Sequence, residues 1–226
     1  MIYWLKKGNN KLVFDSFIKE QIFFQVVASM AISFGPFAVG LGKGYISPAL
    51  ASLQQPSQNY VGQNGSTIYD SIRPGGETLT ITEQQGSWVA SLSLLGALFG
   101  GLCSGAIVKQ GRRRTLLFVS IPLSLSWVLT IFANSVELIY ATAFLAGFFS
   151  AIVQVAAQVY ISEIAHPSIR ASLCSAAKVF SQIGLLAAFV MGAWLDWRQL
   201  AIVCAAAPLM LLITGQVIIF IIFRFF

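Results

Sequence analysis

Long apolar runs alternate with short polar connections along this chain. A membrane-spanning helix needs about 20 mostly apolar residues, and six stretches meet that requirement. They cover about 21–41, 88–108, 115–133, 138–159, 172–195 and 200–223. The runs are continuous, whereas the strand of a membrane barrel alternates apolar and polar residues every second position. The pattern therefore predicts an all-α membrane protein with six transmembrane helices. Residues 1–20 form a mixed, Lys-bearing N-terminal segment, and the six-helix bundle occupies 21–223. The first apolar run starts too late, and lacks the small-residue cleavage site, for a removable signal peptide.

Composition sharpens this reading. Of 226 residues, 57% are hydrophobic and 10% charged. A soluble domain carries about 25% charged residues, and a disordered chain needs low hydrophobicity with high charge, so both classes are excluded. Cys103, Cys174 and Cys204 are far apart and lie in or beside apolar runs, which gives neither a disulfide framework nor a metal cluster. No cofactor or metal is expected.

The net charge of +6 follows the connections. One side collects Lys6, Lys7, Lys11, Lys19, Lys109, Arg112, Arg113, Arg114, Arg170 and Arg224. The other holds Lys43, Arg73 and Arg198 with Asp70, Glu77, Glu83, Glu137 and Asp196. The positive-inside rule places both termini in the cytoplasm. Topology thus accounts for the positive charge, and no nucleic-acid partner is called for. The cytoplasmic connections are about 109–114 and 160–171. An extracellular loop covers about 51–86, and its Asn64-Gly65-Ser66 is a glycosylation acceptor sequence, used or unused.

Helices in lipid pack through small residues that let backbones approach. The second run carries Gly96/Gly100 and Gly101/Gly105, the fourth Ala143, Gly147 and Ala151, and the fifth Gly184 and Gly192. Static packing explains these, and so would sliding surfaces in a moving transporter. The short links between the third and fourth runs and between the fifth and sixth predict antiparallel neighbours.

Two basic connections carry compact motifs: Gly111-Arg112-Arg113-Arg114, and Tyr160-Ile161-Ser162-Glu163-Ile164-Ala165-His166-Pro167-Ser168-Ile169-Arg170. Arginines alone could be topogenic. So short a link also needs a tight turn with φ > 0, which Gly111 supplies. Together with Asp196-Trp197-Arg198, in this order and spacing, the motifs resemble the sugar porter family of the major facilitator superfamily. Gly44-Tyr45-Ile46-Ser47-Pro48-Ala49-Leu50 is also similar to the end of the first helix in insect facilitated trehalose transporters, as is Trp88-Val89-Ala90-Ser91-Leu92 to that group.

The resemblance implies one half-bundle of a two-bundle plasma-membrane transporter. Sugar, trehalose or a hexose, would bind between bundles that rock to give alternating access. By matching position, Gly111, Arg112, Arg113, Glu163 and Arg170 would form a cytoplasmic latch. A family Gln that contacts sugar corresponds to Lys178, whose ammonium either snorkels to the cytoplasmic face or alters substrate choice. Gln182, Gln154 and Gln158 would supply hydrogen bonds to sugar hydroxyls, or act as interhelical glue. Two latch charges of the family are replaced by Val108 and Ala143. The partners implied are the lipid bilayer, a sugar, and a facing C-terminal half-bundle or a second six-helix chain. The alternative is a transport-incompetent truncated or remnant membrane protein that associates with full-length transporters. An enzyme is not expected: the lone His166 lies in a connection, so no Ser/His pair faces across helices.

Overall fold

The structure is a computed structural model that describes residues 25–54, 81–109 and 111–225, with side chains at 54, 112, 113 and 214–225 outside the described set. The predicted segment 1–20, the greater part of the predicted loop and Asn64 lie outside the described residues. Six helices follow one another: α1 (Phe34–Gln54), α2 (Glu83–Val108), α3 (Arg112–Ile131), α4 (Val136–Ile164), α5 (Arg170–Gly192) and α6 (Trp197–Phe225). A helical lead-in over 25–32 precedes α1 across a turn at Ser33. Together the lead-in and α1 make one candidate span, Gln25–Leu53. Four further helical stretches, Glu83–Val108, Arg114–Ile131, Val136–Ile164 and Arg170–Gly192, are also long and apolar enough to cross a membrane.

The first span differs most from expectation. It was placed at 21–41, yet the helix continues to Gln54. Gly40, Gly42, Gly44, Lys43 and Pro48 lower the apolarity of this stretch, but the glycines and Pro48 pack against neighbouring helices, and Lys43 is exposed. Gly40 lies against the Ser181 carbonyl and Gly44 against Ala188 on α5, while Gly42 faces Trp127 on α3. Lys43, assigned to the outer connections from sequence, is instead a residue of the helix interior.

Local signals account for the other helix ends. Thr82 caps α2: its Oγ1 accepts from the Gln85 N–H, and the Gln85 side chain accepts from the Thr82 N–H, a reciprocal box that satisfies two otherwise orphaned donors. Ser135 caps α4 by accepting from the Leu138 N–H. Gly111 precedes α3 with φ +135°, the positive φ that the short connection requires. His166 and Pro167 lie in the break between α4 and α5, where Pro bars helix continuation.

Two close pairs organise the bundle, α2 with α4 and α1 with α5, while α3 packs on α4 and α6. Gly96 and Gly100 sit against the carbonyls of Phe144 and Phe148, and Gly147 against that of Ser93. The other predicted pair, Gly101 and Gly105, meets nothing within 4 Å, because the helix turns that face away from α4. The four-residue link between α5 and α6 does not make them close neighbours. The small-residue stripe of α5 is taken by α1, so α6 finds its partners in α3 and α1. The core lies between α1, α3, α4 and α6, with Val39, Ile152, Val153, Leu200 and Cys204 almost fully buried.

Candidate functional site

A cavity of about 340 Å³ opens between the later halves of α1 and α3 and the earlier halves of α2 and α4, with Trp197 at its end. Its place follows from the packing. α1 and α2 barely touch, because each is drawn to a different partner. Small residues on the facing surfaces, Ala49, Ala97 and Ala143, leave the space unfilled.

The cavity floor is aromatic. Tyr45 meets Trp127 edge-on, with ring centroids 4.9 Å apart and planes at 78°, an arrangement that ring quadrupoles favour. A side chain at Gly42 would come within 2.9 Å of Trp127, so the missing Cβ makes room for the indole. Polar atoms on the walls are mostly spoken for. The Thr130 hydroxyl donates to the Ser126 carbonyl at 2.9 Å, Thr142 to Ile139 at 3.1 Å and Ser150 to Gly147 at 2.9 Å. These hydroxyls keep lone pairs free to accept, since each oxygen has two. Lys43, exposed, stands on the rim. It is the cationic side chain of this cavity.

None of the four residues expected to touch substrate lines this space. Gln158 ties α4 to α5, its Nε2 donating to the Cys174 carbonyl at 3.4 Å, which is a structural contact. Gln154 is half-buried, and its Oε1 is buried without a hydrogen-bond partner. Lys178 and Gln182 sit one turn apart on the exposed face of α5. Lys43, Tyr45 and Trp127 were missed as site residues, although Tyr45 lies inside the Gly-Tyr-Ile-Ser-Pro motif and so carried a signal.

Gly111, Glu163 and Arg170 lie at the same end of the bundle, in or beside the α2–α3 and α4–α5 connections. Glu163 and Arg170 are exposed on either side of the α4–α5 break. The Gly111 carbonyl accepts from the Thr115 N–H at 2.9 Å, and the Thr115 hydroxyl reaches both the Ile107 and Gly111 carbonyls at 3.1 Å, so the turn is braced from both helices. The His166 N–H donates to the Gln25 side chain at 3.0 Å, which fastens the start of the first span to this connection. The side chains of Arg112 and Arg113 lie outside the described residues. At the opposite end the Ile81 N–H donates to the Leu53 carbonyl at 3.3 Å. Arg198 there stacks over Trp197, 4.9 Å from the ring centroid, and reaches the Asn134 side chain at 3.4 Å.

The cavity thus sits in a six-helix bundle with small-residue seams and braced basic turns. The shape of the bundle matches the crystal structure of a D-xylose-proton symporter with a TM-score of 0.64 at 17% identity, over 86% of this chain and 48% of that one. The model of the Sugar (and other) transporter family matches residues 27–226, and the chain belongs to that family. It is 32% identical over 189 residues to the facilitated trehalose transporter Tret1 of Polypedilum vanderplanki, which covers 83% of this chain and 34% of that protein. It is 33% identical over 193 residues to the Tret1 of Drosophila yakuba, covering 85% of this chain and 20% of that protein. The chain thus spans about a third of the length of the first of these curated relatives and a fifth of the second.

Proposed function

We propose that this chain serves facilitative transport of a sugar, trehalose or a hexose, across the plasma membrane, as the N-terminal bundle of a two-bundle transporter. The observation that carries this reading is the family match over 27–226. Likeness to transporters named for trehalose supports the cargo. Facilitation is preferred to ion coupling because Glu83, Glu137, Glu163 and Asp196, the acidic residues described, all lie at helix ends, where none can relay a proton through the bilayer interior.

In this mechanism a second bundle, whether a C-terminal half or a second six-helix chain, faces this one across the substrate path. Rocking of the two about the sugar exposes the path to one side at a time. The basic end is cytoplasmic by the positive-inside rule. Moving Lys43 from the outer connections to a helix interior strengthens that bias, since it removes a positive charge from the outer count. Gly111, Arg112, Arg113, Glu163 and Arg170 form the cytoplasmic latch, in which a carboxylate and guanidinium groups attract one another at the membrane edge and separate when the bundles rock. Asn64, on the outer loop, is the glycosylation site.

Uptake of radiolabelled trehalose and glucose tests the proposal, in cells expressing the chain alone and together with a second half-bundle. Saturable uptake is expected, lowered by Arg113→Ala and by Glu163→Ala. No saturable uptake in either arrangement refutes transport; uptake untouched by both substitutions refutes the latch alone.

A further inference from the structure

We infer that the substrate path of this protein is built for an anionic sugar, one bearing a carboxylate or phosphate, and that Lys43 and Lys178 are its two cationic stations. This rests on the transport reading above but replaces its neutral cargo, trehalose or a hexose, with a charged sugar.

α1 and α5 run parallel, because their contacts advance together: Gly40 against Ser181, Gly44 against Ala188, and Pro48 against Gly192. Counting from these contacts at 3.6 residues per turn, Lys43 and Ser47 on α1 face the same side of the pair as Lys178 and Gln182 on α5. All four are exposed. These four polar residues therefore share one open face of the α1–α5 pair, which also carries the exposed Phe189.

Both lysines lie at membrane depth. Lys43 is ten residues from the Leu53 end of the first span, roughly 15 Å at 1.5 Å per residue. Lys178 is eight residues inside α5 from Arg170, roughly 12 Å. In the shared frame of the two helices they are about eight residues apart in height, again roughly 12 Å. One small anion cannot touch both at once, so the two act in succession, one on each side of the bundle centre.

An ammonium at this depth needs a counter-charge or water. Among the described residues no carboxylate lies in a helix interior: Glu83 and Glu137 open α2 and α4, Glu163 closes α4, and Asp196 precedes α6. A neutral sugar needs donors and acceptors in balance, and one or two lysines are a poor use of that need. An anion is what two uncompensated cations on an open path recognise.

The test is equilibrium binding to the full chain in lipid nanodiscs, with radiolabelled D-glucuronate, glucose 6-phosphate and D-glucose as probes. The two anions are expected to bind about tenfold or more tightly than glucose. Lys43→Gln and Lys178→Gln should each cut into that advantage and the double Gln variant should erase it, while Lys43→Arg and Lys178→Arg should keep it, which separates lost charge from lost folding. The ranking of the two anions tells carboxylate from phosphate. Glucose bound as tightly as the anions and unaffected by either Gln substitution overturns the anionic path and leaves sugar transport standing. A loss confined to one Gln variant overturns the two-station arrangement. No saturable binding of either anion overturns the anionic path, while transport itself is judged by the uptake assay with the second half-bundle present.

Discussion

Replacing Gly147 by alanine should push α2 and α4 apart. The added methyl would meet the Ser93 carbonyl, with the Ser93 carbonyl carbon at 3.0 Å and the Ala97 amide nitrogen at 3.2 Å. These are backbone atoms of a packed helix, so no side chain can swing aside, and relief requires the helices to shift. Overpacking of this kind costs about 1–3 kcal/mol. A glycine-to-alanine change in a helix also gains about 1 kcal/mol of propensity, which would mask much of the loss. Gly101→Ala supplies the correction: it lies in α2, makes the same chemical change, and has nothing within 4 Å of its new methyl. The difference between the two variants therefore isolates the packing contribution, about 1–3 kcal/mol. By the scaling of soluble domains of similar size, that is about 2–12 °C in melting midpoint. Thermal unfolding in detergent, followed by tryptophan fluorescence, measures it. Equal midpoints for Gly147→Ala and Gly101→Ala would refute the claim that backbone contact at Gly147 holds the α2–α4 pair.

Two further changes probe the turn and the cavity. Gly111→Ala forces a Cβ onto a residue with φ +135° and should cost about 1–3 kcal/mol, read as a lower melting midpoint than that of Gly101→Ala. Trp127→Ala empties the cavity floor beside Tyr45 and should cost about 3–5 kcal/mol, whereas Trp194→Ala, 87% exposed, should stay within about 0.5 kcal/mol of the parent; similar losses in both would show that the indole of Trp127 is not a packing element.

The number and order of the helices were legible because lipid demands long apolar runs, and five of the six predicted spans start or end within a few residues of the observed helices. The first did not, for a physical reason. A hydropathy window averages over every face of a helix, and α1 has little lipid to satisfy. Gly40, Gly44 and Pro48 meet α5, Gly42 meets Trp127 of α3, and Lys43 borders the cavity instead. The site was legible only in part. Gly111 showed its role through the steric demand of a short turn, while Gln158 looked like a sugar ligand until its amide was seen bonded to the Cys174 carbonyl. Lys43 and Trp127 were hidden because their importance depends on which helix they face, and spacing along the chain does not encode that.

The same averaging explains an inverse relation within the bundle. The spans of α1 and α3 are half buried within the protein, those of α2 and α5 mostly exposed, and the two buried spans are the less hydrophobic of these. In a soluble protein the interior helices would be the more apolar. Here lipid is the outer solvent, so the exposed faces carry the large apolar side chains, such as Leu94 and Leu102 at 72% and 73% exposed, while hydroxyls retreat inward. Ser120, Ser124, Ser126 and Thr130 on α3 are all buried. Three of them donate to carbonyls of their own helix, and Ser124 donates across to the Ala205 carbonyl of α6 at 3.2 Å. Each hydroxyl proton is thereby satisfied where neither lipid nor water could serve it. Among the described residues, Lys43 and Lys178 donate to no such carbonyl. They stand on the open side of α1 and α5, which marks that side as something other than a lipid-facing wall.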